Sequence, residues 1–336
     1  MINDFNHNKK NIWNSCEDLM RLLPNQNIFS LKGSIDRYGF CYILSDICGL
    51  KKAKRTFAEW VHAWHWHENL TAELIGFHLL NRTVPIIVTN KKEYYVLKKE
   101  GFQKVIIGGL PIAYVKQQHN YRNEQALLAM PPHTNDVTEF NNSQDQYLDY
   151  LETLKRDFDG IYLCIFYSDW EGPLHKAAKK RGFNVIQGTR PDDANSLIRM
   201  RAIFDAFNYV TSNCIGSHFV YAQFAKCKFS FSGPIYSFDE EAVVGRNKIK
   251  KYSQSFVNQI IENRSEKYLR SRFGNYFVDK PQYGICNSSF ARIEVGYDNI
   301  LDKSQILDAV GWSIKGKLRG YIRGGLNKTN NFLYSK

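Results

Sequence analysis

Short runs of β-branched and aromatic residues alternate along this chain with stretches whose apolar residues recur at helical spacing. That alternation predicts parallel sheets crossed by helices. In the first half, Val84-Pro85-Ile86-Ile87-Val88-Thr89 has the continuous apolar run of a strand buried on both faces. Lys91 to Glu100 reads as a short helix stopped by Gly101, and Lys104-Val105-Ile106-Ile107 is the next strand, ending at Gly108-Gly109. A Pro- and Asn-rich stretch, Pro131 to Asp136 and then Asn141-Asn142-Ser143, breaks the pattern as a linker would. Beyond it the alternation is cleaner: helix Gln144 to Phe158, strand Ile161 to Tyr167, helix Pro173 to Arg181, strand Asn184 to Gln187, helix Asp192 to Phe207, strand Tyr209 to Ser212, helix Gly216 to Ala225 and strand Lys228 to Phe231. The expected fold class is therefore α/β, with two Rossmann-like domains facing a cleft, residues 1–135 and 143–300, and a basic helical segment over 301–336.

Composition changes this picture little. With 43% hydrophobic and 23% charged residues in a chain of 336, neither a disordered nor a disulfide-stapled protein fits. Seven scattered cysteines, mostly in apolar surroundings, read as reduced core residues, and their spacing offers no zinc motif. No apolar run reaches the length of a membrane span and the start is polar, so a cytoplasmic protein is expected. The formal charge of +12 implies an anionic partner: nucleic acid, an anionic membrane or a phosphorylated ligand. The aromatics lie inside strands rather than interleaved with basic residues, which ranks nucleic acid last and makes no nucleic-acid partner the expectation. Ile314, Leu318 and Ile322 form a stripe flanked by Lys315, Lys317, Arg319 and Arg323, which suits either a helix on the inner face of the cell membrane or a solvated tail.

The strongest site signal is Thr211 to Ala222, a strand ending in small polar residues before Gly216 opens a helix. In an open α/β sheet, free N–H groups at such a helix start attract a phosphate. Asn213, Ser217 and His218 could add donors there, or serve only as an ordinary helix cap and a surface histidine. The segment from Trp60 to Asn69 holds three histidines and three tryptophans. On a strand His65 and His67 share one face and His62 the other, so the three do not converge on one metal, and the tryptophans suit stacking on sugar C–H faces. His133, after a strand-like run, has the titration range of a general base. Asp169 and Glu171 fall at the carboxyl edge of the strand before them, as bases or as helix caps before Pro173. Gly108-Gly109-Leu110-Pro111 follows a strand but lacks the third glycine of a dinucleotide fingerprint.

The run from Gly188-Thr189-Arg190 through Asp193, Ser196 to Met200, Thr211-Ser212-Asn213, Gly216-Ser217-His218, Tyr221-Ala222 and Gly233-Pro234 resembles the C-terminal domain of bacterial surface-polysaccharide glycosyltransferases of the GT-B type. The likeness covers roughly the second half of the chain. It implies a nucleotide-sugar donor whose phosphates lie at Asn213, Gly216, Ser217 and His218, with Thr189 and Arg199 near by, and a glycan or glycolipid acceptor presented by the N-terminal domain. His62 and Trp64 resemble the His-Gly-Trp-like element near the acceptor side of some such enzymes, with Ala63 in place of the glycine. Among His62, His133 and Asp169 the acceptor's base is left open. No Asp-x-Asp pair is seen, so metal-independent transfer without a bound cofactor is expected. A pyruvyl- or phosphoryl-type transferase acting on surface glycans is the second enzyme reading, and a basic nucleic-acid-binding protein is the third.

Overall fold

The structure, a computed structural model, describes residues 13–314 apart from 119, 121, 136, 141 and 244–251. The chain is a mixed α/β protein with two parallel sheets. The smaller has three strands in the order β1 (Glu59–Trp60), β2 (Ile86–Val88), β3 (Val105–Ile107). The larger contains β4 (Asn123–Ala129), β5 (Gly160–Ile165), β6 (Asn184–Gln187), β7 (Phe207–Ser212) and β8 (Lys228–Phe231) in the order β6-β5-β4-β7-β8. Every pairing is parallel. From β4 the chain winds outward to one edge through β5 and β6, then returns to the other side for β7 and β8. The order therefore reverses between β4 and β7, and at such a switch point the strand ends leave a crevice.

Helices α1 (Cys16–Leu22), α2 (Phe40–Ile47), α3 (Ala72–Ile75) and α4 (Lys91–Lys99) belong to the first part of the chain. They are followed by α5 (Asp145–Thr153), α6 (Pro173–Lys180), α7 (Ser196–Ala206) and α8 (Ser217–Phe224), and later helices span Gln254–Glu262, Glu266–Phe273, Ser288–Glu294 and Lys303–Ala309. The predicted unit over 84–107 forms as β2, α4 and β3, with Asn90 capping α4 by accepting from the Glu93 amide. Ten of the eleven residues of α7 are buried, so its polar groups pair internally, with Arg201 Nε donating to Asp205 at 2.9 Å.

The first and last described segments reach across to the opposite sheets. Trp13 packs edge-on against Tyr162 and Phe207 of the larger sheet, at centroid distances of 5.2 and 5.0 Å. Residues near 295–310 return to the smaller sheet, where the Leu110 amide donates to Val295 O and the Phe57 amide to Val310 O. At this return Gly109 and Gly296 meet backbone to backbone. Both have positive φ, and a Cβ on Gly296 would lie 2.5 Å from Thr89 O. The Gly108-Gly109 pair is thus a docking point between segments. The strand β4 precedes the 135–143 stretch in sequence and sits in the middle of the larger sheet. Lys248, Lys250 and Lys251, and the basic segment from Lys315 onward, lie outside the described residues. Among the described residues no helix is long and apolar enough to cross a membrane, and five of the seven cysteines are buried.

Candidate functional site

The crevice at the switch point is built from the ends of β4 and β7. Ser212, the last residue of β7, ties them together: its hydroxyl donates to Met130 O at 2.6 Å and accepts from the Cys214 amide at 3.1 Å. The chain then turns through Cys214-Ile215-Gly216 into α8, whose N-cap is Gly216 and carries no side-chain capping bond. Ser217 does not cap the helix. Its Oγ accepts instead from the Trp64 amide at 3.0 Å, while Tyr221 Oη donates to His62 O at 3.1 Å. These two bonds fix the loop after β1 against α8, so the carboxyl edges of both sheets face one space.

That space is a cavity of about 430 Å³. Its described lining includes Arg37, Arg264 and five histidines, at 62, 65, 67, 133 and 218, and contains no aspartate or glutamate. Such a lining attracts anions, because no described carboxylate stands in the wall itself, while Glu93, outside it, pairs with His65. Of the residues singled out from sequence, His62, His133, Thr189, Gly216, Ser217 and His218 line it.

Asp169, Arg199 and Asn213 do not. Asp169 Oδ2 accepts from the buried Thr134 amide at 2.8 Å, holding the turn that carries His133. Arg199 donates to Gln187 O and Pro24 O, joining the end of β6 to the N-terminal segment. Asn213 Nδ2 donates to Gln144 Oε1 at 2.7 Å and Pro234 O at 3.2 Å. The three assignments from sequence thus fall on residues that fix the backbone behind the cavity. The α6 N-cap is Gly172, without a side-chain bond, so neither Asp169 nor Glu171 caps it.

The histidines are held in distinct states. His218 Nε2 lies 3.2 Å from Cys214 O, to which it can only donate, and 3.0 Å from Ser212 Oγ, which leaves Nδ1 with the lone pair. Burial first, and then His133 near by, push its pKa down to about 3. A Cβ on Gly216 would sit 3.0 Å from His218 Nδ1, so this glycine makes room for the imidazole in an extended backbone that any residue can adopt. His133 Nδ1 donates to Thr134 O at 3.0 Å, leaving Nε2 as its acceptor, and burial lowers its pKa as well. His62 stands with its ring 5.8 Å from that of Tyr38.

Strand β1 stops at Trp60, so the segment after it is a loop and not the strand expected over His62 to His67. His65 Nδ1 lies 2.8 Å from Glu93 Oε1, and Glu93 also accepts from the Thr89 amide at 2.6 Å. His67 stacks on Trp66 at 4.7 Å. Among the described residues no group of three or more His, Cys, Asp or Glu is placed to hold a metal ion.

Sequence reasoning passed over Arg264, which follows helix Gln254–Glu262 and lines the cavity. Its one signal, a cation just past a helix end, reads as a dipole partner. No known protein-family model and no curated protein matches this chain.

Proposed function

We propose that the protein is a glycosyltransferase that moves a sugar from a nucleotide-sugar donor to a glycan or glycolipid acceptor, with the donor in the cavity between two Rossmann-like, GT-B-like halves. The observation that carries this reading is the carboxylate-free, histidine- and arginine-lined cavity at the β4/β7 switch point, beside an α8 start without a side-chain cap. The resemblance of the segment Gly188 to Pro234 to bacterial surface-polysaccharide transferases points the same way.

In this mechanism an acceptor hydroxyl attacks the anomeric carbon and the bond from that carbon to the donor phosphate breaks, its electron pair going to the phosphate oxygen. The first-turn amides of α8 stabilise the charge on the leaving phosphate, beside Ser217, whose oxygen accepts from the Trp64 amide and whose hydroxyl is hydrogen-bonded to Tyr221. The acceptor proton goes to a neutral imidazole. His133 has its Nε2 lone pair available for this and His62 lines the same space, whereas Asp169 is engaged with Thr134. The transfer needs no metal ion in this scheme, so turnover should persist in excess chelator, and loss of turnover that magnesium or manganese restores would count against it.

The test is a thermal-shift screen against CMP, UDP, GDP and dTDP, followed by product analysis with a radiolabelled donor of the stabilising nucleotide. One nucleotide should raise the melting temperature and its labelled sugar should move to an acceptor. Absence of any nucleotide effect, or transfer of a pyruvyl or phosphoryl group in place of sugar, refutes the proposal.

A further inference from the structure

A second set of uncommitted donors lines the same cavity on a wall that α8 does not supply. Trp66 Nε1 donates to Asn263 O at 3.1 Å, which fixes the Trp66 indole beside the backbone that carries Arg264. The Arg264 guanidinium carbon lies 5.1 Å from the Trp66 ring centroid and 5.8 Å from that of Phe238. Aromatic rings against the guanidinium leave its N–H groups to donate in plane. Only one is spent among the described residues, on a long 3.4 Å contact to Ile260 O. No described carboxylate lines the cavity to pair with it. His67 completes the wall. It is 3% exposed, it stacks on the Trp66 ring, and neither of its ring nitrogens has a hydrogen-bond partner among the described residues.

A partly buried cation with most of its N–H groups unspent and a buried imidazole without a partner among the described residues are costly unless a ligand supplies the missing acceptors. Burial and the neighbouring Arg264 hold His67 neutral, so it offers one N–H. We propose that Arg264 and His67 bind an oxyanion of the ligand other than the donor phosphate at α8. The Arg264 fork matches two oxygens of a carboxylate or phosphate, and the His67 N–H takes a further lone pair. Resting on the glycosyltransferase reading, the site narrows the substrates to two sources of that group: a carboxylate on the transferred sugar, or a phosphate on the acceptor.

Thermal shift and titration calorimetry on the full chain test this with three probes: glucose, glucuronate and glucose 6-phosphate. Glucose should leave the melting temperature unchanged. Stabilisation by glucuronate assigns the site to an acidic sugar, and stabilisation by glucose 6-phosphate assigns it to a phosphorylated acceptor. Arg264→Gln should weaken the active probe by about a hundredfold and His67→Phe, which keeps the ring stack, by about tenfold. Nucleotide affinity should fall much less in both variants than affinity for the active probe. Equal responses to all three sugars, no response to any, or an oxyanion response that survives Arg264→Gln overturns the inference. If Arg264→Gln does not fold, the wild-type contrast of glucose with its two charged relatives and the His67→Phe variant still decide. Loss of nucleotide binding in the wild type alongside Arg264-dependent oxyanion binding would instead overturn the glycosyltransferase reading and leave this site standing.

Discussion

Acidification should destabilise this protein in a pH range where its carboxylates are still ionised. His67 is held down to about 2, by burial first and then by Arg264, His65 and Lys92 around it, and His218 to about 3 by burial and His133. In the unfolded chain both return to about 6.5. Below that value the unfolded state binds protons that the folded state refuses, so the contribution of these two groups is fully present above about pH 6.5 and is lost as the pH falls. Each histidine removes about 1.4 kcal/mol per pH unit, so the pair removes about 4 kcal/mol by roughly pH 5. For about 300 ordered residues this lowers the melting temperature by roughly 6 °C. The carboxylates with lowered pKa, exposed Asp145 beside Ser143 and half-buried Asp192 beside Arg190, act only at more acid pH, because their contribution is lost as pH falls below the ordinary carboxylate range. Scanning calorimetry across this interval should show at least this decline, to which His133 and His175, also lowered by burial, add, and His67→Phe should reduce the slope by about a quarter to a half. A melting temperature that stays flat from neutrality to about pH 5, or a slope that His67→Phe leaves unchanged, would refute the assignment of buried neutral imidazoles.

Other outcomes follow from single contacts. Gly216→Val should displace the His218 ring from Ser212 and cost about 1–3 kcal/mol in denaturant unfolding, with nucleotide affinity reduced; unchanged stability and affinity would contradict the packing described. Asp169→Ala removes the acceptor of the buried Thr134 amide and should cost about 1–3 kcal/mol, whereas Asp169→Asn keeps an oxygen there and should retain turnover; abolished turnover in a well-folded Asn variant would make Asp169 the base after all. Lys315, Lys317, Arg319 and Arg323, outside the described residues, should confer salt-sensitive co-sedimentation with anionic liposomes that falls when all four are neutralised; equal partition to neutral liposomes at low salt would count against a membrane contact.

The sequence pattern was most legible where burial on both faces leaves an apolar run. Strands β2 and β5 lie close to their predicted positions because burial leaves them no polar face to blur the signal, and β3, β8 and helices α4, α6 and α8 also lie close to theirs. The middle strand of the larger sheet is harder to read. β4 is Asn-Glu-Gln-Ala-Leu-Leu-Ala, a composition rich in helix formers, and it is a strand because β5 and β7 flank it. Within the site, the strand-to-helix turn at Ser212 to Ser217 could be placed at a carboxyl edge from sequence, since topology alone fixes which end of a strand opens a crevice. Side-chain direction could not be read in the same way. Asp169 and Asn213 share that edge with His133 and Ser217, yet they turn inward to satisfy the Thr134 amide and the Gln144 side chain, a demand that arises only once those groups are buried. Arg264 was out of reach for a related reason. The contact that gives it meaning runs from Trp66 to Asn263 across 197 residues of chain, and no local pattern carries a pairing of that span. What turns a cation at a helix end into a candidate ligand-binding group is the aromatic wall brought to it by the fold and the absence of a described carboxylate from the cavity it faces.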